Sequence, residues 1–237
     1  MEPLLDVSTL SHHFGGLQAL TEVSFQVFPG ECVAVIGPNG AGKSTLFHLI
    51  GGRHVIQSGR IQFAGQALLG LESHQITQLG MGQAFQEPGL FPSLTVWEHL
   101  QLGQRFGGKE QTDLTALASS LELSPFLNQF PGKLTYGWQK RVALGRALAG
   151  NPRLLLLDEP AAGLNPAEQQ TWIELMTRLL AEQHVTLLFI EHQLSLLRSL
   201  AQRVVALDAG RVITQGNPEE VFLHPLVQAA YFGPPSS

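Results

Sequence analysis

Along the first third of the chain apolar and polar residues alternate in the manner of extended structure. Leu4 to Leu10, Val23 to Phe28 and Glu31 to Gly37 are predicted strands, with Pro29-Gly30 as the turn between the second and third. Cys32-Val-Ala-Val-Ile-Gly37 is apolar on both faces, the pattern of a central strand covered by helices. From Ser44 to Gly52 the period lengthens to that of a helix, and Gly59 to Gly65 returns to strand. Between about Glu87 and Gly150 helical signals dominate, at Leu94 to Leu102, Leu114 to Leu121 and Gln139 to Ala149. Strand and helix then alternate: strand Leu154 to Leu157, helix Pro166 to Glu182, buried strand Val185 to Ile190, helix Gln193 to about Leu200. Strands Val204 to Leu207 and Val212 to Gln215 flank the turn Asp208-Ala209-Gly210, and Asn217 to Leu223 reads as a capped helix with Pro218 in its first turn. The order predicts an α/β fold with a βαβ core of the parallel kind, interrupted by a helical insert.

Composition narrows the function. Of 237 residues 44% are hydrophobic, enough for a sizeable core. The net charge of −5 argues against a nucleic-acid partner, which selects a basic face. Charged residues make up 14%, below the roughly 25% usual for soluble domains, so part of the surface is expected to be covered by partners. One cysteine excludes a disulfide framework, and Cys32 in its apolar run reads as a buried small hydrophobe. No run approaches the roughly 20 apolar residues needed to span a bilayer, and the N-terminal residues lack a signal-peptide pattern. A soluble, cytosolic protein is expected.

The chemistry begins at Gly37-Pro38-Asn39-Gly40-Ala41-Gly42-Lys43-Ser44, which matches the phosphate-loop pattern GxxxxGK[ST] between a buried strand and a helix. Its glycines let successive N–H groups curl around phosphate oxygens, and the helix adds its positive end. Lys43 would reach the β- and γ-phosphates and the Ser44 hydroxyl would ligate Mg²⁺. Four leucines and two acids, Leu154 to Glu159, supply a second element of such sites. Asp158 would hold Mg²⁺ through water, and Glu159, pointing differently, could polarise a water for attack on the γ-phosphate.

With these two motifs the chain resembles an ATP-binding cassette (ABC) ATPase, the nucleotide-hydrolysing subunit of a transporter, over nearly its whole length. Four further family elements occur in family order. Gln86 in Ala84-Phe85-Gln86-Glu87-Pro88 resembles the Q-loop glutamine, which contacts the metal and the attacking water. Leu134-Thr135-Tyr136-Gly137-Trp138-Gln139 resembles the signature motif, usually LSGGQ. Ala161 to Asn165 lies where the D-loop belongs, and His192 where a switch histidine stabilises the γ-phosphate. Phe14 stands where the family stacks an aromatic ring on adenine. The resemblance implies an ABC-ATPase P-loop fold with an N-terminal antiparallel β part. It is expected as a single domain, with 1–86 and 151–237 as nucleotide-binding core and 87–150 as helical subdomain. It also implies that ATP and Mg²⁺ are held by the loop from Gly37 to Thr45 together with Gln86 and Asp158.

Thr135, Gly137 and Trp138 would meet the phosphates bound by a second cassette, so that ATP draws two cassettes head to tail. Thr135 keeps a hydroxyl in place of the usual serine; Tyr136 replaces the first glycine, Trp138 a common glutamine and Asn165 the common D-loop aspartate. The helical insert, with Phe91 and Trp97 near Gln86, is expected to dock transmembrane permease subunits, placing the chain on the inner face of the cell membrane. Pro160 to Pro166, Gly216 to Pro225 and the ending Ala230-Tyr231-Phe232-Gly233 resemble branched-chain amino acid and urea importer cassettes, systems that also use a solute-binding protein. A lipopolysaccharide-export cassette and a degenerate cassette paired with a more active paralogue are the alternatives.

Overall fold

A computed structural model of the chain describes residues 1–107, 112–183 and 185–232; Gly233 of the C-terminal motif lies outside them. In chain order the elements are β1 (Leu5–Phe14), β2 (Leu17–Val27), β3 (Cys32–Ile36), α1 (Lys43–Ile50), β4 (Ser58–Phe63), β5 (Gln66–Ala67), α2 (Ser73–Gln78) and β6 (Met81–Ala84). There follow α3 (Val96–Phe106), α4 (Leu114–Ser120), α5 (Tyr136–Leu148), β7 (Leu154–Asp158), α6 (Pro166–Gln183), β8 (Thr186–Ile190), α7 (Leu194–Leu200), β9 (Arg203–Asp208), β10 (Arg211–Gly216), α8 (Pro218–Leu223) and α9 (Pro225–Phe232). They form two compact units, Met1–Ser73 with Thr186–Ser237, and His74–Val185. Among the described residues no helix is long and apolar enough to cross a membrane.

The first unit contains an antiparallel sheet of order β2-β1-β4-β5. β1 runs to Phe14 and β2 starts at Leu17, both well beyond the lengths the periodicity predicts. Register shifts between Val7 and Leu10, Leu10 and His12, and His12 and His13 disrupt the alternation that marks a strand, and Thr9 and Glu22 take φ of 49° and 50°. In the same unit β3 lies between β8 and β9, all parallel, and β10 turns back antiparallel on β9. Every residue of β3 and of β8 is buried, which accounts for the unbroken apolar run of β3 and for Leu187 to Ile190 in β8. A two-point ion pair from Arg203 to Glu31, at 2.6 and 3.0 Å, ties the start of β9 to that of β3. Cys32 is buried on β3 as expected; burial first, and then the charge of Glu31, push its thiol up to about 11.

In the second unit β6 and β7 pair in parallel, from Met81↔Leu154 to Ala84↔Leu157. Neither β6 nor α2 carries a legible period: the one is four residues with a glycine and a glutamine, and the other buries only Ile76. The predicted helical stretch holds α3, α4 and α5 with two 3₁₀ turns, Ser124–Phe126 and Pro131–Lys133. A capping box between Thr95 and Glu98 starts α3. Three glycines bring backbones together in this unit. A Cβ on Gly82 would lie 2.9 Å from the Ala147 carbonyl oxygen, one on Gly103 1.9 Å from that of Arg146, and one on Gly107 2.1 Å from the Cα of Gly150.

Because Gly103 faces backbone rather than a movable side chain, Gly103→Ala must push α3 off α5. Overpacking of this kind costs about 1–3 kcal/mol, and a thermal melt of the variant should show its midpoint lowered by several degrees.

Candidate active site

Three parallel strands of the first unit deliver their carboxyl ends to one side, the side on which ligands gather in parallel sheets. At the end of β3 the loop from Gly37 to Ser44 turns on glycines with φ of 152°, 82° and 98° at Gly37, Gly40 and Gly42. Side chains are excluded from its base: a Cβ on Gly37 would fall 2.1 Å from the Leu207 carbonyl oxygen, and one on Gly42 2.6 Å from that of Ala19. Above Gly40 there is open space. The Gly210 N–H donates to the Ala41 carbonyl, so the turn after β9 braces the loop. Lys43 is buried and folds its ammonium back over the loop, donating to the carbonyls of Gly37 (2.8 Å) and Pro38 (2.9 Å). Asn39 and Ser44 are exposed; Pro38 and Thr45 are half-buried.

Two further contacts in this unit were not read from the sequence. The Gly37 N–H donates to the Tyr231 hydroxyl at 2.8 Å, so α9 reaches the first residue of the loop. Burial pushes the Tyr231 phenol above its usual range, the Gly37 N–H opposing this in part. Phe14, 46% exposed at the end of β1, has His12 edge-on at 4.7 Å and His54 at 5.4 Å between ring centroids. Both ring nitrogens of His12 are buried without a hydrogen-bond partner. Among the described residues no group of histidines, cysteines and acids could hold a metal ion. His192, expected as the switch histidine, lies two residues past the end of β8 and is exposed. Buried Glu191 precedes it and accepts the N–H groups of His192 (2.8 Å) and Gln193 (3.2 Å) through one oxygen. The sequence carries a signal for Glu191: it is an acid directly after the apolar run Leu187 to Ile190, as Asp158 is after four leucines.

In the second unit the parallel pairing of β6 and β7 brings Gln86, two residues past β6, beside Glu159, one residue past β7. Gln86 Nε2 donates to Glu159 Oε2 at 2.9 Å. Asp158 ends β7 and is buried, whereas Glu159 has φ of 47°, which turns its side chain away from the strand's alternation. Lys140, also buried, donates to the Glu159 carbonyl at 3.0 Å. On α5, Thr135 takes the N-cap position, but its hydroxyl caps no helix N–H, contrary to a plain capping role. Gly137 is helical, and a Cβ there would meet Glu168 Oε1 at 3.2 Å. Trp138 packs its ring 4.6 Å from that of Phe126, with the Arg141 guanidinium 4.5 Å from its centroid. Asn165 Oδ1 accepts from Ala167 and Glu168, and Glu168 answers at the Asn165 N–H, so asparagine serves as a helix cap where the family commonly has aspartate.

Capping separates the helices. α3, α4, α6 and α8 start under a side-chain oxygen of Thr95, Asp113, Asn165 and Asn217. α1, α5 and α7 have no side-chain cap and no acid in their first turn. α1 follows the phosphate loop and α5 follows Thr135, so the first-turn N–H groups of each have no side-chain acceptor from the N-cap residue.

Glycine loop, buried lysine, paired acids and glutamine together define a P-loop nucleotide-binding protein. The family model described as ABC transporter matches residues 20–162. The branched-chain amino acid transport ATP-binding protein BraF of Pseudomonas aeruginosa is 36% identical over 98% of this chain and 98% of that protein. LivG of Escherichia coli, a protein of the same description, is likewise 36% identical, with 98% of each chain covered. Among solved structures, a nucleotide-free ATP-binding cassette superposes with a TM-score of 0.87 at 28% identity, covering 98% of this chain and all of the other. The ADP conformation of the cassette MJ1267 gives 0.86 at 29% identity, again over 98% of this chain and 100% of that one. The chain belongs to the ABC transporter family as an ATP-binding cassette, and it is an ATPase.

Tyr231→Phe removes the acceptor of the Gly37 N–H. Loss of one neutral hydrogen bond is worth about 0.5–1.5 kcal/mol, so ATP affinity should weaken about 2- to 10-fold with turnover at saturation nearly unchanged, as read from steady-state kinetics over a range of ATP.

Proposed function

We propose that the chain drives uptake of branched-chain amino acids, urea or a similar small solute through separate transmembrane permease subunits, supplied by a solute-binding protein. It would work from the cytoplasmic face of the cell membrane, paired with a second cassette of the same or a related kind. The similarity to BraF and LivG over nearly the full chain supports the cargo class. The Tyr-for-Gly and Trp-for-Gln exchanges in the signature are what a degenerate cassette would show, and the presence of Lys43, Asp158, Glu159 and His192 weighs against that reading.

The observation that carries the mechanism is that α1, after the phosphate loop, and α5, after Thr135, both start without a side-chain cap. Nucleotide phosphates would sit on the loop from Gly37 to Thr45 at the start of α1, with Lys43 offsetting their charge. The start of α5, with Thr135, Gly137 and Trp138, would meet the phosphates held by the other cassette. The γ-phosphate is then a ligand shared between two chains, and only the triphosphate favours closure. Phe14 would stack on the base, and the histidines behind it keep the ring from turning inward. Glu159 would polarise the attacking water, with Gln86 and His192 orienting water and γ-phosphate.

The donor set suits Mg²⁺: a serine hydroxyl, a buried carboxylate and an amide oxygen are all hard oxygen ligands. Ser44, Asp158 and Gln86 would hold it, and once bound it would neutralise charge on the β- and γ-phosphates. We assign residues 87–150 as the helical subdomain that docks the permease. Phe91 there is 52% exposed, its backbone fixed by the His99 ring, which accepts the Phe91 N–H at 2.9 Å. Residues 1–86 and 151–237 would form the nucleotide-binding core.

Glu159→Gln should cut steady-state ATP hydrolysis by at least about 10²-fold while preserving nucleotide binding. With Mg-ATP the variant should elute as a dimer in size-exclusion chromatography, and without nucleotide as a monomer. Undiminished turnover would remove Glu159 from its role, and a monomer at saturating ATP would sink the shared-ligand mechanism.

A further inference from the structure

Tyr136 is the least expected residue of the signature, since a ring stands where the family commonly has glycine, and the mechanism above gives it no task. Its surroundings in the second unit form a closed circuit. The phenol hydroxyl donates to the Gln86 carbonyl at 3.0 Å, fifty residues away in sequence. The Gln86 side chain donates in turn to Glu159 Oε2 at 2.9 Å. The carbonyl of that same glutamate accepts from Lys140 Nζ at 3.0 Å, and the Lys140 ammonium lies 5.4 Å from the centroid of the Tyr136 ring. Tyr136 and Lys140 are one turn apart on α5. One face of the first turn of α5 therefore grips the Q-loop by its carbonyl and the glutamate by its backbone, and these two meet through their side chains.

The D-loop is shaped to admit the ring. Gly163 has φ of 77°, and a Cβ there would lie 2.9 Å from Tyr136 Cε1. Burial, and after it the charge of Glu87, push the phenol above its usual range, which keeps the hydroxyl a donor. Further along α5, Arg146 donates to the carbonyls of Gly89 (2.8 Å) and Pro88 (3.2 Å), so the helix holds the segment that follows Gln86 as well.

We propose that Tyr136 is a positioning residue for hydrolysis: its hydroxyl fixes the Gln86 backbone so that the Gln86 amide meets Glu159, and the signature helix thereby sets the geometry of the water-activating carboxylate. This rests on the role given to Glu159 above. A displacement of α5 acts on Glu159 through two routes, the Tyr136–Gln86 bond and the Lys140–Glu159 bond, without passing through the nucleotide.

The test is Tyr136→Phe in the full chain with Mg-ATP. The ring and its packing on Gly163 stay, and only the hydroxyl goes. The expected result is kcat lowered about 2- to 10-fold, the range for one neutral hydrogen bond, with KM for ATP changed less than about twofold. In a Gln86→Ala background the same deletion should have no further effect, because the group it positions is already gone. Circular dichroism and a thermal melt of each variant establish that it is folded. Wild-type kcat in Tyr136→Phe, a change confined to KM, or a loss that multiplies in full with that of Gln86→Ala would overturn the inference. Glu159→Gln, run alongside, parts the two failures. If it still turns over, the glutamate's role fails and takes the inference with it. If it is silent while Tyr136→Phe is unimpaired, the inference fails alone.

Discussion

Parallel pairing of buried strands is the constraint from which the rest follows. Two parallel neighbours present their carboxyl ends on the same side, so residues far apart in sequence arrive together once the register is set. In the first unit this applies to β3, β8 and β9, whose ends carry the glycine loop, Glu191 with His192, and the turn that braces Ala41. In the second it applies to β6 and β7, whose register from Met81↔Leu154 leaves Gln86 and Glu159 within hydrogen-bond reach. A slip of one residue in that pairing would reverse the facing of every side chain on the strand and separate amide from carboxylate.

The capping pattern adds an electrostatic layer. A protein that needed only stability would cap every helix, since each cap is worth roughly 1 kcal/mol. This chain caps α3, α4, α6 and α8, and leaves α1, α5 and α7 without a side-chain cap. Two of these uncapped starts, those of α1 and α5, belong to the segments that family membership associates with nucleotide phosphates. Asn165 fits the same logic from the other side, because its amide oxygen stays local at the start of α6.

Much of the site could be read from the sequence because it sits at the ends of strongly patterned strands. Four leucines before Asp158 and an unbroken apolar run before Gly37 mark buried parallel strands, and the acids and glycines after them are easy to see. Less legible was whatever owes its structure to partners rather than pattern. The periodicity stops short on β1 and β2 because bulges break their alternation, and β6 shows none because Gly82 is there to admit the backbone of α5. No periodicity encodes the reach of Tyr231 to Gly37 or of Tyr136 to Gln86, which are contacts across 194 and 50 residues.

The buried thiol of Cys32 has a practical consequence. It is the chain's sole cysteine, it is covered on β3, and its ionisation is pushed to about 11. At neutral pH such a thiol exists almost wholly in its unreactive protonated form. A cysteine placed on the surface of α5 or beside the glycine loop would therefore be the single point of attachment for a spin label or fluorophore. Inter-subunit distances could then be followed through a nucleotide cycle with the native β3 left untouched.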